Sequence, residues 1–513
     1  MRKLHSVGTL GMLVFALTVA WGQDSATQTP AGGAPDNAPG NAQDNAPGAA
    51  QGAAQDNGPQ QPVPAYGQEN PPPAIIDNPP LSGLDTPSLE PHAAPLSYIQ
   101  PGATFSESID SNLANGVGTQ AFHSVSRGVG SVTLERLWSH YDLAVDYFGG
   151  AAYYNVHGLG WKLMQQMDLD QKITWKRGQL SLRDSFSYLP EGSFGGAYGS
   201  TGSQGIASLG STSFSNFWGG GSLGSLGQVP RLMNLSLADI SQELSPKSAI
   251  TAAGGYAVTH YYGSDQVNGA SFIGSSQTSV QVGYNRVLTA HTQIALVYGY
   301  QAFDYSVLGN AFHSHVIQGM FGHRISGRMD FLAGAGPQIT YIDTLLLGGT
   351  LKTTRLGVAG QARLRYKFTR TSLMLSYERF LTSGSGFFAG AQSDIVQLGV
   401  ARPLTRVWTG SADIGYSRNS RLQPLSAQQL LTCGGTGQPP CPGIDGNVYN
   451  YGFAGVGLHR AFGHNWHGFA SYQFNELSFD HSYCAPLTVC SRIGNRHVVS
   501  VGLDWTPRPI RID

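Results

Sequence analysis

The stretch QARLRYKFTRTSLMLSYERF, residues 361–380, alternates apolar and polar side chains on both sides of a short polar turn. Before the turn, one face carries Ala, Leu, Tyr and Phe, and the other carries Gln, two Arg and Lys. After a turn centred on residues 369–370, the alternation resumes with Leu373, Leu375 and Tyr377. A period of two residues is typical of a β-strand with two unlike faces. The stretch therefore predicts an antiparallel β-hairpin.

A two-residue turn also fixes which residues of this hairpin face each other. A slip of one residue would mix apolar and polar side chains on each face, so the sequence specifies the register. The predicted partners are Leu364 with Leu375, Ala362 with Tyr377, Arg363 with Ser376, and Gln361 with Glu378.

The hairpin pattern recurs along the chain, with eight short polar turns. Between these turns the connections are longer and rich in Gly, Ser and Asn. Short and long connections alternate when one rim of a membrane barrel faces the periplasm and the other faces outside. The turns centre on residues 139–140, 176–178, 245–247, 290–291, 326–327, 369–370, 405–406 and 463–464, and the long connections are 149–160, 189–231, 262–275, 343–352, 420–446 and 481–492.

The alternating segments are ten or more residues long. A bilayer-spanning strand needs about 9–11 residues, whereas the commonest globular strand has about 5–6. The fold class predicted is all-β, a transmembrane antiparallel β-barrel of about 18 strands, with 16 as the alternative. A soluble β-sandwich or propeller also alternates, but it needs a more charged exterior than a chain with 12% charged residues provides. The alternation breaks around 311–325 and 447–461, where bulges, lumen-facing aromatic residues or a misplaced boundary would explain it.

The N-terminal region divides into an export signal and a long arm. Arg2 and Lys3 precede an apolar stretch at 7–20, and small residues allow cleavage after Gly22. A retained N-terminal anchor is the alternative. Sixteen of the 28 prolines lie between positions 30 and 101, in a segment with few apolar residues. We predict a signal peptide at 1–22, a disordered periplasmic arm rich in Pro, Ala, Gly and Asn at 23–95, the barrel at 96–507, and a short C-terminal extension at 508–513.

The net charge of −1 conceals an acidic arm and a basic body. Residues 23–126 carry ten Asp or Glu and no Lys or Arg, whereas residues 127–513 carry 28 Lys or Arg against 21 Asp or Glu. The body therefore has a formal charge of +7.

The four cysteines form two close pairs, which in an exported protein predict local disulfides, with zinc as the competing interpretation. The pairs are Cys433 with Cys441 and Cys484 with Cys490.

These features together resemble a Gram-negative outer-membrane β-barrel of porin-like type. The export signal, the hairpin series and the final strand SVGLDW at 500–505 carry the resemblance, although eight residues follow that strand. The resemblance implies an outer-membrane location, passive diffusion of small hydrophilic solutes, no enzymatic activity, no cofactor and no metal. It covers about residues 97–505 and identifies no subfamily.

Specific residues follow from this interpretation. The polar face of 353–368 and its partner strand predict a pore lining with weak anion preference. The competing interpretation is that the cations pair with carboxylates such as Glu378 and hold the wall together. The longest loop supplies aromatic residues that could narrow the pore. The candidate pore-lining residues are Arg355, Gln361, Arg363, Arg365, Lys367 and Glu378, and the candidate constriction loop carries Phe194, Tyr198, Phe217 and Trp218.

Other functions remain open at this point. One is a barrel for polysaccharide export, and another is a surface-interaction barrel that acts through its loops. A Ser–His site on a barrel wall, as in outer-membrane phospholipases, is a further alternative, because such residues meet only in space. The expected partners are outer-membrane lipid, the barrel-assembly machinery, the cell wall through the arm, and two further copies in a homotrimer, with no nucleic acid.

Overall fold

The computed structural model describes residues 79–84, 97–112, 121–156, 159–190, 230–262, 273–305, 310–346, 349–384, 388–422, 448–480 and 493–512. All of them lie in one compact unit, Asp56–Asp513. The described strands are β1 (Tyr98–Asp110), β2 (His123–Leu137), β3 (Tyr141–Tyr154), β4 (Gly160–Trp175), β5 (Gly178–Leu189), β6 (Arg231–Ser245), β7 (Ser248–Tyr261), β8 (Ser275–Thr289), β9 (Thr292–Tyr305), β10 (Asn310–Ser326), β11 (Met329–Leu346), β12 (Gly349–Lys367), β13 (Ser372–Thr382), β14 (Ala391–Pro403), β15 (Trp408–Arg421), β16 (Val448–Ala461), β17 (Trp466–Phe479), β18 (Ile493–Trp505) and β19 (Ile510–Arg511).

The first 18 strands form one closed antiparallel barrel. Each strand pairs with the next along the chain, and β18 returns to pair with β1 over Ala103–Asp110. The prediction of an 18-stranded antiparallel barrel is confirmed. Strands spaced about 4.8 Å apart and tilted by about 40° give a cylinder roughly 36 Å across between backbones. Among the described residues, no helix is long and apolar enough to cross a membrane.

The hairpin at residues 361–380 has the predicted register. Leu364 pairs with Leu375 and Ala362 with Tyr377, while Gln361 pairs with Glu378. Leu375 and Tyr377 are exposed on one face, whereas Ser376 on the other face is buried. Alternation and a short turn were therefore sufficient to specify this pairing.

The connections alternate in length over most of the chain as predicted, with three differences. The connection between β9 and β10, which was not predicted, has only four residues between Tyr305 and Asn310. All eight short turns lie where the sequence places them. The connection predicted at 343–352 is wrong, because β11 and β12 continue to Leu346 and Gly349 and leave two residues between them. The connection predicted at 149–160 is also shorter, since β3 extends to Tyr154. In both places the Gly and small residues that suggested a loop belong to strands. We call the two ends of the barrel the short-turn rim and the long-loop rim.

The strands with irregular alternation are continuous. In β10 the register with β11 shifts between Arg324 and Ser326, which marks a bulge. In β16 the buried Tyr449, Tyr451 and Phe453 lie on the face opposite to the exposed Val456. Aromatic side chains on the inner face of β16 therefore obscure its alternation.

The C-terminal extension adds a short strand to the seam at which the barrel closes. β19 pairs with the start of β1, with Tyr98 opposite Arg511 and Ile99 opposite Ile510. The Ile512 N–H donates to the Ser97 carbonyl at 3.2 Å. The residues after the final aromatic thus continue the seam beyond β18.

Candidate channel lumen

The outer face of the barrel is apolar. On every strand from β7 to β10, large apolar side chains on one face are exposed. The opposite face of β7 and β8 carries buried small or polar side chains, whereas that of β9 and β10 also carries buried Phe303, Phe312 and Met320. A closed barrel satisfies its backbone hydrogen bonds internally, so an apolar outer face suits a lipid environment. The exposed side chains on these four strands include Ile250, Tyr256, Val280, Val282, Tyr284, Ile294, Leu296, Tyr298, Ile317 and Phe321.

Aromatic residues border this apolar face at two levels. Tyr416 lies toward the long-loop rim and Trp408 at the short-turn rim of the same strand, eight residues away, or about 27 Å along the strand. Tyrosine hydroxyls at the upper level bond to side chains on the adjacent strand. Tyr416 donates to Asn450 Oδ1 at 2.9 Å, and the Tyr298 hydroxyl lies 2.8 Å from His315 Nδ1. Such aromatic girdles are typical of barrels that span a bilayer.

The inner face of β12 carries the basic residues that the sequence identified. Arg355, Arg363, Arg365 and Lys367 alternate with the outward-facing Leu356, Val358, Ala362 and Leu364 and so face the lumen. Gln361 and, across the pair on β13, Glu378 lie on this same face. Together with Asp330 on β11, this part of the lumen forms what we call the basic wall.

Two arginines of the basic wall differ in their contacts. Arg365 Nε donates to Asp330 Oδ1 at 2.9 Å, and its Nη2 contacts Asp330 Oδ2 as well. Arg355 is exposed to the lumen, and in the described part of the chain it has no ion pair. Arg365 therefore fits the interpretation in which a cation pairs with a carboxylate. Its partner is Asp330 rather than Glu378. Arg355 is available to a solute.

A second charged surface lies on β2, β3 and β4. Asp146 and Asp168 face each other across β3 and β4 on the inner face. Thr133 Oγ1 donates to Asp146 at 2.6 Å, and Ser185 Oγ and Gln166 Nε2 donate to Asp168 at 2.5 and 2.9 Å. Five inward carboxylates make up this acidic wall, namely Glu135, Asp142, Asp146, Asp168 and Asp170.

The two walls face each other across the lumen. The strands β3 and β12 are nine positions apart in a ring of 18, in either direction. If inward side chains project about 5 Å from each wall, the open width of the lumen between the two walls is roughly 26 Å. The Debye length is about 8 Å at physiological ionic strength, so each wall acts mainly on a solute close to it. The sequence of either strand alone does not show that β3 lies opposite β12, because that position depends on the number of strands in the ring.

A short piece of the arm lies inside the barrel. Residues 79–84, PPLSGL, belong to the arm predicted to be disordered. Their side chains Leu81, Ser82 and Leu84 are nevertheless buried. Leu81 packs with Ala295, and Leu84 packs with Leu237. These contacts lie on the inner faces of β6–β10, nearer the short-turn rim. We call residues 79–84 the luminal segment.

The connection between β13 and β14 folds inward at the long-loop rim. Phe388 packs against Tyr449, and Arg421 lies over the Phe388 ring, 5.0 Å from its centroid. Gly390 has a φ of 86°, and a Cβ there would collide with the Phe312 ring. A glycine is therefore needed where this connection crosses the inner wall. Phe388 and Ala389 therefore cover the inner wall at this end of the barrel.

Several predicted residues cannot be placed. The candidate constriction residues Phe194, Tyr198, Phe217 and Trp218, and the cysteines Cys433, Cys441, Cys484 and Cys490, lie outside the described residues. The predicted signal peptide at 1–22 lies outside them too. Within the described ranges, His, Cys, Asp and Glu side chains form no group of three or more that could hold a metal ion.

Comparisons with known proteins find similarity at the level of three-dimensional structure alone. No protein-family model matches the chain, and no curated protein sequence matches it. Among solved structures, Pseudomonas aeruginosa OccK2 (OpdF) is 8% identical with a TM-score of 0.37, covering 80% of this chain and 98% of that one. The P. aeruginosa outer membrane protein OpdK is 8% identical with a TM-score of 0.39, covering 81% and 100%. A BenF-like porin from Pseudomonas fluorescens Pf-5 is 8% identical with a TM-score of 0.38, covering 81% and 99%. Similarity at this level does not establish a shared substrate.

Proposed function

We propose that this protein is an outer-membrane channel through which small hydrophilic solutes pass passively. The observation that carries the proposal is the closed barrel of 18 strands, with an apolar outer face and charged walls on the inner face. A barrel of this strand number is wide enough to enclose an aqueous channel, whereas eight strands are filled by their own side chains. The short-turn rim then faces the periplasm, and the arm enters from that side.

The charged walls suggest how the channel treats ions. Charge rings in a pore set ion preference by electrostatics. Because the acidic and basic walls are further apart than the Debye length, a solute responds to the wall that it approaches. We propose a weak preference for anions, caused by Arg355, whose guanidinium is exposed to the lumen and unpaired among the described residues. The proposal assigns no catalytic role to any residue.

The test is conductance and reversal potential in planar bilayers under a KCl gradient. The purified wild-type protein should give discrete current steps. Arg355→Gln should shift the reversal potential toward cations, because the substitution removes an exposed luminal charge. Arg406→Gln is the matched control, since Arg406 lies in an exposed turn between β14 and β15 at the short-turn rim. It should leave the reversal potential unchanged.

The same measurement separates the alternatives. A barrel that acts only through its loops should give no current steps, which would contradict the channel. If both arginine variants leave the reversal potential unchanged, the channel stands and the role of Arg355 is wrong. Fractionation with the outer membrane of the producing cell tests the proposed location.

A further inference from the structure

The luminal segment occupies a polar site on the inner wall. The Leu81 N–H donates to Asn285 Oδ1 at 3.0 Å. The Ser82 carbonyl accepts two hydrogen bonds, from Thr251 Oγ1 at 2.8 Å and from Gln281 Nε2 at 2.9 Å. Side chains of β7 and β8 thus satisfy the backbone groups of a chain that forms no strand with them. Recognition of one N–H and one C=O by three separate side chains is a peptide-binding arrangement.

The two leucines of the segment enter apolar surroundings on either side of these polar contacts. Both leucines are 7% exposed. A polar, water-filled lumen would not give the two leucines these apolar partners, so the inner wall here matches the side chains of the segment. Leu81 packs with Ala295, Val297, Met320 and the partly buried Leu332, and Leu84 packs with Leu237, Ala253 and the partly buried Leu235.

Glycines on the inner wall leave room for the segment. A Cβ at Gly283 would collide with the side chain of Ser82, and a Cβ at Gly322 would lie 2.8 Å from Leu81 Cδ1. Neither glycine has a positive φ among the described residues, so backbone conformation does not require them. The glycines instead permit close approach of another chain.

A short connection ties the segment to the barrel. Twelve residues, 85–96, separate Leu84 from Ser97 at the start of the barrel. Fully extended, such a connection reaches roughly 40 Å, about the diameter of the cylinder. Because this connection ties the segment to the barrel, the effective concentration of the segment at its own site is high, and binding does not require strong affinity.

We propose that the inner wall of β6–β10 is a peptide-binding site whose occupant is the chain's own residues 79–84, and that this tethered segment restricts flow through the lumen. The segment lies against β6–β10, which stand between the acidic wall and the basic wall around the barrel. It restricts flow because it reduces the open cross-section of the lumen there. The proposal rests on the proposed channel function. It gives the arm a role in setting conductance.

The first test compares two deletions of six residues in planar bilayers. Deletion of 79–84 removes a layer of chain about 10 Å thick from a lumen roughly 26 Å wide, so single-channel conductance should rise by up to about 1.5-fold. Deletion of 59–64, a part of the arm with three prolines against the two of 79–84, is the matched control and should leave conductance unchanged. The double substitution Leu81→Asp with Leu84→Asp keeps the length of the arm and should give the same rise as the first deletion.

The second test adds the segment back as a free peptide. An acetylated and amidated hexapeptide of sequence PPLSGL, applied on the short-turn side of the variant lacking 79–84, should reduce the conductance toward the wild-type value. The peptide with both leucines replaced by aspartate should have no effect. Asn285→Ala in the same deletion variant should weaken the block by the free peptide, because it removes the acceptor of the Leu81 N–H.

The outcomes separate the two proposals. If the wild type conducts and neither the deletion nor the double substitution raises the conductance, the restricting role of the segment is overturned and the channel stands. If no variant conducts, the channel function and the restricting role are both overturned. A rise on deletion that the free peptide does not reverse overturns the peptide-binding site.

Discussion

The seam between β1 and β18 contains an ion pair whose removal should destabilise the whole barrel. Asp110 and Arg496 face the lumen near the long-loop rim, and both side chains are fully buried. Arg496 Nε donates to Asp110 Oδ2 at 2.8 Å, and Nη2 donates to the same oxygen at 2.5 Å. The Asn112 N–H donates to Asp110 Oδ1 at 3.0 Å. The pair joins the first and last strands of the barrel.

The expected magnitude follows from the burial of both charges. Removing one partner of a buried ion pair leaves the other charge without compensation and costs about 3–5 kcal/mol. Replacing both partners with apolar side chains removes both charges and is often neutral. We therefore expect Asp110→Asn and Arg496→Met to lower the free energy of unfolding by about 3–5 kcal/mol each. The double variant Asp110→Leu with Arg496→Met should recover most of that loss.

Urea titration of the refolded protein in detergent micelles measures this effect, with tryptophan fluorescence as the signal. If the unfolding free energy falls by about 3 kcal/mol per molar urea, each single substitution should lower the midpoint by about 1–1.7 M. Lys247→Met is the control, because Lys247 lies in the exposed turn between β6 and β7. Its midpoint should stay within about 0.2 M of wild type, since exposed substitutions usually change stability by less than about 0.5 kcal/mol.

The double variant decides the interpretation. Single variants that lower the free energy of unfolding by less than about 1 kcal/mol would show that the buried charges are hydrated or differently paired. A double variant as unstable as the sum of the two single ones would show that the two side chains do not act as a pair. Either result would refute the reasoning from burial.

A truncation and two further substitutions test other features of the fold by the same titration. Truncation after Pro507 removes β19 and its hydrogen bonds to β1, and should lower the unfolding free energy by about 1–3 kcal/mol. Arg365→Gln leaves Asp330 without its partner and should cost about 1.5–3 kcal/mol, whereas Arg355→Gln should have little effect on stability. Gly390→Ala places a Cβ against Phe312 at a positive φ and should cost about 1–3 kcal/mol, seen as a lower urea midpoint.

The sequence was most informative where partners are close along the chain. A hairpin is set by its turn and by the alternation on either side, so the β12–β13 register could be read from Ala362, Leu364, Leu375 and Tyr377 alone. The same reasoning found all eight short turns. It failed between β11 and β12, where a Gly- and Thr-containing stretch around residues 343–352 resembles a loop in composition but is strand for most of its length.

Burial inside the lumen was less predictable, because composition does not show which polar segment finds a site. The luminal segment carries only two leucines in a Pro-rich context, and its composition favours disorder. Its contacts come from six strands, β6–β11, that are contiguous only after the barrel has formed. Similarly, nothing near Phe388 in the sequence indicates that the β13–β14 connection folds inward.

The sequence by itself determined the strands, their faces and the pairing of neighbours, because a period of two residues and a short turn are local properties. Closure of the barrel determined the contacts between residues that are distant in the sequence. Asp110 and Arg496 are 386 residues apart and meet because β18 returns to β1. The acidic and basic walls are opposed because nine strands separate them in a ring of 18. The position of a strand around the ring depends on the total number of strands, and the sequence of a single hairpin does not give that number.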